Sequence, residues 1–174
     1  MSGISYDLTK IRGFVFDIDG VLSPSVVQLS EEGKPLRMMN VKDHYAMTLA
    51  VRKGLKFALI SGGNSPRMQK LINRMGIRDV YLKTPDKLAK LKEWLDANGL
   101  SREEIVYMGD DIPDLKCLRY AGLSCAPNDA AWEVRQTATY VSRFDGGYGC
   151  VRDVVEQTLR AQGFWLADED AYKW

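Results

Sequence analysis

The sequence of 174 residues has little of several features that mark particular classes of protein. Its three cysteines, Cys117, Cys125 and Cys150, form no C-x-x-C pair, and their odd number argues against a disulfide framework. The formal net charge is only +1, so the chain has no excess of positive charge for nucleic acid or an anionic membrane. No apolar run is long enough to span a bilayer, and residues 1–12 lack the apolar core of a signal peptide. These absences favour a cytoplasmic protein with reduced cysteines and with neither nucleic-acid nor membrane partners.

The composition and the pattern of apolar residues predict an α/β fold. Hydrophobic residues make up 45% and charged residues 27% of the chain, which is ordinary for a globular protein, and the length predicts a single domain over residues 1–174. Short apolar runs predict strands at residues 11–18, 55–60, 80–82, 105–108, 123–126 and 139–141. Capping residues and apolar stripes predict helices at residues 43–53, 65–76, 84–98, 115–118, 130–136 and 151–162. This alternation indicates a doubly wound parallel sheet with helices on both faces.

A further pair of apolar segments lies between the first two of these elements. Val26–Leu29 and Leu36–Met39 flank a polar stretch with a central Gly33. This pattern predicts a small β-hairpin within residues 25–41.

Two aspartates, Asp17 and Asp19, follow the first apolar run directly and precede Gly20. Alternation places them on the same side of an extended chain, about 6.6 Å apart at ~3.3 Å per residue. An apolar strand normally avoids carboxylates, so the pair indicates a cation or a reaction at the strand end. A solvated strand end with an Asp-Gly turn accounts for these residues equally well, and the rest of the chain has to decide.

Polar residues also follow the other predicted strands. Ser61 ends the second strand, Asp110 and Asp111 end the fourth, and Lys87 falls in the first turn of the helix after the third. In a parallel sheet these strand ends meet at one edge, where ligands bind. Phosphoryl transfer through an aspartyl phosphate needs such a set of groups: the carboxylates of Asp17, Asp19 and Asp110, the hydroxyl of Ser61 and the ammonium group of Lys87.

We assign each group a role in that chemistry. Asp17, Asp110 and the backbone carbonyl of Asp19 would bind Mg²⁺, which prefers oxygen ligands. The side chain of Asp19 transfers the proton. Ser61 and Lys87, together with the N–H groups of Gly62 and Gly63, hold the phosphoryl oxygens.

These motifs resemble the phosphatases of the haloacid dehalogenase superfamily. The resemblance rests on D-x-D-G at residues 17–20, Ser61, Lys87 and G-D-D-x-x-D at residues 109–114. It implies the roles given above, makes Asp17 the nucleophile that forms the aspartyl phosphate, and adds Asp111 and Asp114 as supports of the metal and its waters. Segments 18–60 and 62–86 leave no room for the cap domain of larger members, so the predicted enzyme is cap-less.

An uncapped site implies either a macromolecular substrate, such as a phosphoprotein, that covers the site itself or a homo-oligomer in which a neighbouring subunit closes it. The resemblance implies a homotetramer in which a neighbouring subunit, through the hairpin, covers the site. A non-catalytic module of the same fold is an alternative, although the chain retains all three catalytic and metal-binding aspartates.

Cap-less members that act on sugar-acid phosphates are the most similar. The matching segments are residues 19–23, 40–43, 109–111 and 146–152. They imply 3-deoxy-D-manno-octulosonate 8-phosphate, a precursor of lipopolysaccharide, as substrate. The alternative substrate is a nine-carbon sialic-acid-like 9-phosphate, such as that of 2-keto-3-deoxynononate or an N-acylneuraminate.

Four residues are predicted to bind the rest of the substrate: Lys42, Asp43, Gly62 and Arg67. Arg67 would supply the guanidinium that such phosphatases often carry at the position of Gly63. Asp43 is equally explained as a helix N-cap, and Lys42 and Arg67 as solvated charges. The single histidine, His44, is better explained by capping or packing than by catalysis.

The end of the chain is unusually rich in aromatic residues. They are Phe164, Trp165, Tyr172 and Trp174. So many aromatic side chains are not expected in a free disordered end, and we predict that they dock on another subunit.

Overall fold

A computed structural model describes residues 3–173 of the chain. Its strands are β1 (Gly13–Phe16), β2 (Gln28–Leu29), β3 (Pro35–Leu36), β4 (Lys56–Ile60), β5 (Asp79–Tyr81), β6 (Ile105–Met108), β7 (Leu123–Ala126) and β8 (Tyr140–Val141). Its α-helices are α1 (Val41–Arg52), α2 (Pro66–Arg74), α3 (Lys87–Asn98), α4 (Leu115–Tyr120), α5 (Trp132–Thr137) and α6 (Cys150–Ala161). Single 3₁₀ turns cover Leu8–Lys10, Arg102–Glu104, Ile112–Asp114 and Glu169–Tyr172.

Six of the strands form one parallel sheet in the order β5-β4-β1-β6-β7-β8. In the sheet Phe16, the last residue of β1, pairs with Leu59 of β4 on one side and with Met108 of β6 on the other. From β1 the chain first extends the sheet towards β5 and then crosses to the opposite side to add β6, β7 and β8. The carboxyl end of β1 therefore lies where the winding direction reverses, which is where ligands bind in such sheets.

Helices cover both faces of this sheet, which confirms the predicted doubly wound α/β fold. On one face Phe14 and Phe16 pack with buried residues of α1, α2 and α6. On the other face Val15 packs with buried residues of α3, α4 and α5. Because both faces of β1 are covered, the strand is a continuous apolar run rather than an alternating one.

Two helix starts differ from the sequence prediction. The N-cap of α1 is Asn40, whose side chain accepts a hydrogen bond from the Lys42 N–H at 2.8 Å, so Asp43 is not the cap. Asp86, rather than Thr84, caps α3 by accepting from the Ala89 N–H at 3.0 Å. In both cases the short polar side chain directly before the first helical residue satisfies the helix donors.

The hairpin forms within the predicted residues 25–41. Its strands β2 and β3 are antiparallel and only two residues long, and the turn is closed by the Ser30 N–H donating to the Lys34 carbonyl at 2.8 Å. Besides it, the described residues between β1 and β4 form only α1, and no cap domain occurs within residues 3–173. None of the helices in that part of the chain combines the length and apolar character needed to cross a membrane.

The first two aromatic residues of the tail contact their own chain. Phe164 and Trp165 are partly buried against its core, and the Trp165 ring meets Tyr45 edge-on at 6.0 Å between centroids. Docking of the tail on another subunit stays a prediction. Tyr172 is exposed, and Trp174 lies outside the described residues.

Candidate active site

The four residues of the strand-end cluster, Asp17, Lys87, Asp110 and Asp114, meet at the carboxyl edge of the central strands. Asp17 directly follows β1, Asp110 follows β6, and Lys87 begins α3. One carboxylate oxygen from each aspartate of the cluster lies within 4.8 Å of the others. The sheet order thus brings together groups that are far apart in sequence.

Lys87 links two of these carboxylates. Its Nζ donates to Asp17 Oδ2 and to Asp114 Oδ1, both at 2.7 Å, and all three side chains are buried. Burial alone would lower the pKa of Lys87, but the charges of Asp17 and Asp114 raise it above its ordinary value. The ammonium group is therefore a permanent positive charge beside the predicted nucleophile.

Asp114 holds the loop after β6 in place. Besides Lys87, its Oδ1 accepts from the Tyr107 hydroxyl at 2.7 Å, and its Oδ2 accepts from the N–H groups of Asp110 (3.2 Å) and Asp111 (3.4 Å). Four donors occupy its two oxygens, so the geometry suits a support better than a direct metal ligand. Sequence reasoning did not identify Tyr107, although a tyrosine inside a buried strand needs a partner for its hydroxyl.

Gly20 lets Asp110 approach the first motif. A Cβ at Gly20 would lie 1.9 Å from Asp110 Oδ2, and the backbone has φ +83°, a conformation that side chains disfavour. Any other residue would push the carboxylate away. The glycine that completes D-x-D-G is therefore required by a contact with the later acidic motif.

The cluster carries more negative than positive charge, as a cation site should. Burial and the nearby Asp114 raise the pKa of Asp17 to about 6, although Lys87 opposes this shift. Burial and the carboxylates of Asp17, Asp114 and Asp111 raise the pKa of Asp110 to about 8. Carboxylates crowded in this way, with oxygens within 4.8 Å, fit a hard divalent cation that accepts oxygen ligands.

Asp19 lies outside this group and has a different partner. Arg37, just after β3, donates from Nε to Asp19 Oδ1 at 2.5 Å and from Nη2 to Asp19 Oδ2 at 2.8 Å. Its Nη1 donates to the Asn64 carbonyl at 3.3 Å. Sequence reasoning missed Arg37, because nothing in a hairpin arginine itself indicates a contact with a residue 18 positions earlier.

The segment Ser61–Asn64 forms the loop after β4. Ser61 is 3% exposed, and its Oγ accepts from the Gly63 N–H at 3.1 Å. Its own carbonyl accepts from the Thr84 N–H at 3.0 Å, which ties the loop to the segment before Lys87. A Cβ at Gly63 would lie 3.0 Å from Asp19 Oδ2, so this loop runs directly beside the predicted proton donor.

Two cavities flank the site. The hairpin cavity, about 710 Å³ in volume, lies between the hairpin and the start of α2, and Arg37, Asn64 and Arg67 are among its lining residues. The second cavity, about 620 Å³, is lined in part by Gly62 and Lys87. Of the predicted substrate-binding residues, Arg67 and Gly62 therefore lie at cavities beside the site.

The other two predicted substrate-binding residues lie elsewhere. Lys42 is exposed on α1 and lines neither of these cavities. Asp43 is fully buried, and its Oδ1 accepts from the Arg152 N–H at 2.6 Å at the start of α6. Burial raises the pKa of Asp43 to about 6, opposed by the N–H groups of Arg152 and Gly149. This position favours a contact between α1 and α6 over a contact with substrate.

Asp111 and His44 are not members of the strand-end cluster. Asp111 is exposed, and its side chain takes part in the reciprocal capping of the Ile112–Asp114 turn. His44 is half-buried on α1, where burial lowers its pKa.

Comparison with known proteins agrees with this geometry. Residues 72–147 match the haloacid dehalogenase-like hydrolase family. The 3-deoxy-D-manno-octulosonate 8-phosphate phosphatase KdsC of Escherichia coli K12 is 33% identical over 154 residues, which cover 88% of this chain and 82% of that protein. The chain therefore belongs to the family of haloacid dehalogenase-like hydrolases that contains the KdsC enzymes, and it is a phosphoric monoester hydrolase.

Solved structures give the same relationship. A probable YrbI family phosphatase from Pseudomonas syringae has a TM-score of 0.89 and 33% identity, covering 95% of this chain and 97% of that one. The 3-deoxy-D-manno-octulosonate 8-phosphate phosphatase of Moraxella catarrhalis, solved with magnesium, phosphate and KDO, has a TM-score of 0.87 and 29% identity, covering 95% and 93%. The similarity thus extends over nearly the whole fold.

Proposed function

We propose that this enzyme hydrolyses 3-deoxy-D-manno-octulosonate 8-phosphate to the free sugar acid and inorganic phosphate, with Mg²⁺ as cofactor. The observation that carries the proposal is the strand-end cluster, in which Asp17 contacts Lys87 at 2.7 Å and lies beside Asp110 and Asp114. The similarity to the KdsC enzymes supports the particular substrate.

In the first step a carboxylate oxygen of Asp17 attacks phosphorus. A bond forms between that oxygen and phosphorus while the bond from phosphorus to the sugar oxygen breaks. The carboxyl group of Asp19 gives its proton to the leaving sugar oxygen, so the sugar departs as a neutral alcohol.

In the second step water cleaves the aspartyl phosphate. Asp19, now a carboxylate, accepts a proton from the water as the water oxygen bonds to phosphorus. The bond from phosphorus to Asp17 breaks, and both aspartates return to their starting states. The net reaction consumes one water and releases inorganic phosphate.

Several groups hold the transferred phosphoryl group. Lys87 fixes the nucleophile through its contact with Asp17 and contributes a buried positive charge. Ser61 and the N–H groups of Gly62 and Gly63 are the proposed donors to phosphoryl oxygens, and the position of Gly63, where a Cβ would lie 3.0 Å from Asp19 Oδ2, supports this assignment.

Mg²⁺, when bound, screens the repulsion between the Asp17 carboxylate and the anionic phosphate. Asp17, Asp110 and the backbone carbonyl of Asp19 are the proposed ligands, with Asp111 and Asp114 as supports. The assignment is supported by the crowding of the Asp17, Asp110 and Asp114 carboxylates, whose oxygens lie within 4.8 Å of one another. Burial, the larger cause, and these neighbouring carboxylates together raise the pKa of Asp110 to about 8.

We also propose that the active enzyme is a homotetramer in which a neighbour covers the site. The support is the hairpin, where Val26, Leu29 and Met38 are 83%, 60% and 58% exposed. Exposed apolar side chains of this kind mark interaction surfaces. Light scattering of the purified protein measures the mass directly, and a monomer at assay concentrations would contradict the tetramer.

Competing substrates test the reaction. Phosphate release is measured with the octulosonate 8-phosphate and a nine-carbon 9-phosphate present together, which gives the ratio of their kcat/KM values. A ratio above 10 in favour of the eight-carbon substrate is expected. A preference for the nine-carbon substrate would assign the enzyme to the alternative, and release from neither would contradict the proposed function.

A further inference from the structure

The contact between Arg37 and Asp19 is a feature that the proposed mechanism does not use. The two side chains form a bidentate pair, with one oxygen of Asp19 on Nε and the other on Nη2. The side chain of Arg37 is 9% exposed and that of Asp19 is 35% exposed. Paired hydrogen bonds between a guanidinium and a carboxylate are strong and fix both groups in orientation.

The loop after β4 leaves space for this guanidinium at Gly63. A Cβ at Gly63 would lie 3.1 Å from Arg37 Nη2 and 3.0 Å from Asp19 Oδ2, so the pair lies directly over a residue without a side chain. Nη1 of the same arginine also donates to the Asn64 carbonyl at 3.3 Å. Arg37 thus connects the hairpin, the first motif and the loop after β4.

This arrangement cannot be the one in which proton transfer occurs. A carboxyl group that hands a proton to the leaving oxygen must direct one oxygen towards it, within hydrogen-bond distance. Both Asp19 oxygens here point to Arg37. At least one of the two contacts has to open during the reaction, and another acceptor for the guanidinium would make that opening easier.

The hairpin cavity offers such an acceptor a place. Arg37 lines it together with Lys34 and Arg67, and Glu32 is the one carboxylate among the described lining residues. The lining residues of this cavity therefore include three cations and one carboxylate, a balance that favours an anionic group. Its volume of about 710 Å³ is in the range of small-molecule sites.

From this geometry we infer that Arg37 is a specificity-determining residue that exchanges Asp19 for a carboxylate on the leaving alcohol. A substrate with that carboxylate draws the guanidinium away from the Asp19 carboxylate, which then takes up a proton from solvent and can hand it to the leaving oxygen. A neutral sugar phosphate leaves the pair closed and reacts slowly. The inference rests on the proposed phosphatase reaction and assigns the recognition of its acidic leaving group.

Two phosphates that differ only in charge at one end test the inference. Gluconate 6-phosphate carries a carboxylate where glucitol 6-phosphate carries a hydroxymethyl group, and the phosphate esters are otherwise alike. Wild-type enzyme should prefer gluconate 6-phosphate by at least ~10-fold in kcat/KM, the order of magnitude of one charge-assisted hydrogen bond.

The variant Arg37→Met removes the guanidinium and its paired donors while keeping a long side chain. Its kcat/KM for gluconate 6-phosphate should fall ~10- to 100-fold, whereas kcat for glucitol 6-phosphate should stay equal or rise, because Asp19 is no longer held. Arg37→Lys retains the charge without the fork and should give an intermediate ratio. Arg74→Met, an exposed arginine at the end of α2, is the matched control and should leave the ratio unchanged.

Parallel losses on both phosphates in Arg37→Met would show a merely structural role and overturn the inference, as would a wild-type enzyme without preference. A binding measurement separates these results from failure of the proposed function. Asp17→Asn, which cannot form the aspartyl phosphate, should bind gluconate 6-phosphate more tightly than glucitol 6-phosphate by calorimetry, and adding Arg37→Met should abolish that difference. Binding preference without hydrolysis of any phosphate ester by the wild type would contradict the proposed function alone.

Discussion

The strand-end cluster and the hairpin contact hold the two reacting aspartates in very different ways. Asp17 is 7% exposed and is fixed by Lys87, which comes from a helix that packs on the central sheet. Asp19 is fixed by Arg37, which comes from a hairpin whose strands are two residues long. The core therefore fixes the proposed nucleophile, while a small surface element holds the proposed proton donor.

This difference predicts the largest effect at Asp17. Asp17→Asn removes the nucleophile but keeps the size of the side chain, so kcat should fall by ~10⁴-fold or more. The fold should survive, since the change also removes one of three crowded carboxylates. Phosphate release and a thermal melt of the same preparation check both statements, and activity within tenfold of wild type would contradict the mechanism.

Lys87 should matter next, and here the effect is on stability as well as rate. Lys87→Met leaves Asp17 and Asp114 buried without their cation, which costs about 3–5 kcal/mol in the free energy of unfolding. Urea unfolding of the metal-free protein measures it. Lys90→Met, one turn further along the same helix in an exposed pair with Glu93, is the control and should change stability little. Equal losses in the two variants would disprove the special role of Lys87.

Substitutions at two glycines, one beside the strand-end cluster and one beside the hairpin contact, test the two regions separately. Gly20→Ala places a methyl group 1.9 Å from Asp110 Oδ2 and should weaken Mg²⁺ binding by ~10- to 100-fold, measured by calorimetry. Gly63→Ala meets the ends of Asp19 and Arg37 at 3.0 and 3.1 Å, where flexible side chains can shift. Its expected effect is smaller, less than ~10-fold in kcat/KM. A larger effect of Gly63→Ala on Mg²⁺ binding would contradict the separation of the two regions.

The last prediction concerns pH. The pKa values of Asp17 (about 6) and Asp110 (about 8) lie above the ordinary value of 3.8. Between about pH 4 and pH 8 the folded metal-free protein therefore binds more protons than the unfolded chain. Its stability should therefore fall as the pH rises from about 4 to 8. Because Mg²⁺ neutralises the same carboxylates, the gain in Tm on adding Mg²⁺ should be larger at pH 8 than at pH 6. Asp110→Asn should reduce this difference, and an equal gain at both values would count against the cluster as the metal site.

Much of the fold followed from local patterns. Continuous apolar runs predicted the strands, because a parallel sheet buries both faces, and Ser65-Pro66 predicted the start of α2. The helix starts at α1 and α3 differ from the prediction because two capping residues compete within a few positions. Only the packed structure decides between Asn40 and Asp43 for α1 and between Thr84 and Asp86 for α3.

The site was predicted in composition but not in its contacts. Strand ends indicated Asp17, Ser61 and Asp110, since the topology of a parallel sheet brings such ends to one edge. The fully buried position of Asp43 was not predictable, because it depends on α6, which lies more than a hundred residues later.

The sequence by itself determined the class of reaction. Phosphoryl transfer is indicated by three features that the sheet brings to one edge: the acidic pair after β1, the lysine at the start of α3 and the second acidic motif. The tertiary structure alone decided which charge each aspartate meets. Lys87 bridges Asp17 and Asp114 because α3 packs beside β4, and Arg37 holds Asp19 because the hairpin folds back over Gly63. Ion pairs act over a few ångströms, so distances in space, which the order of residues does not give, decide them.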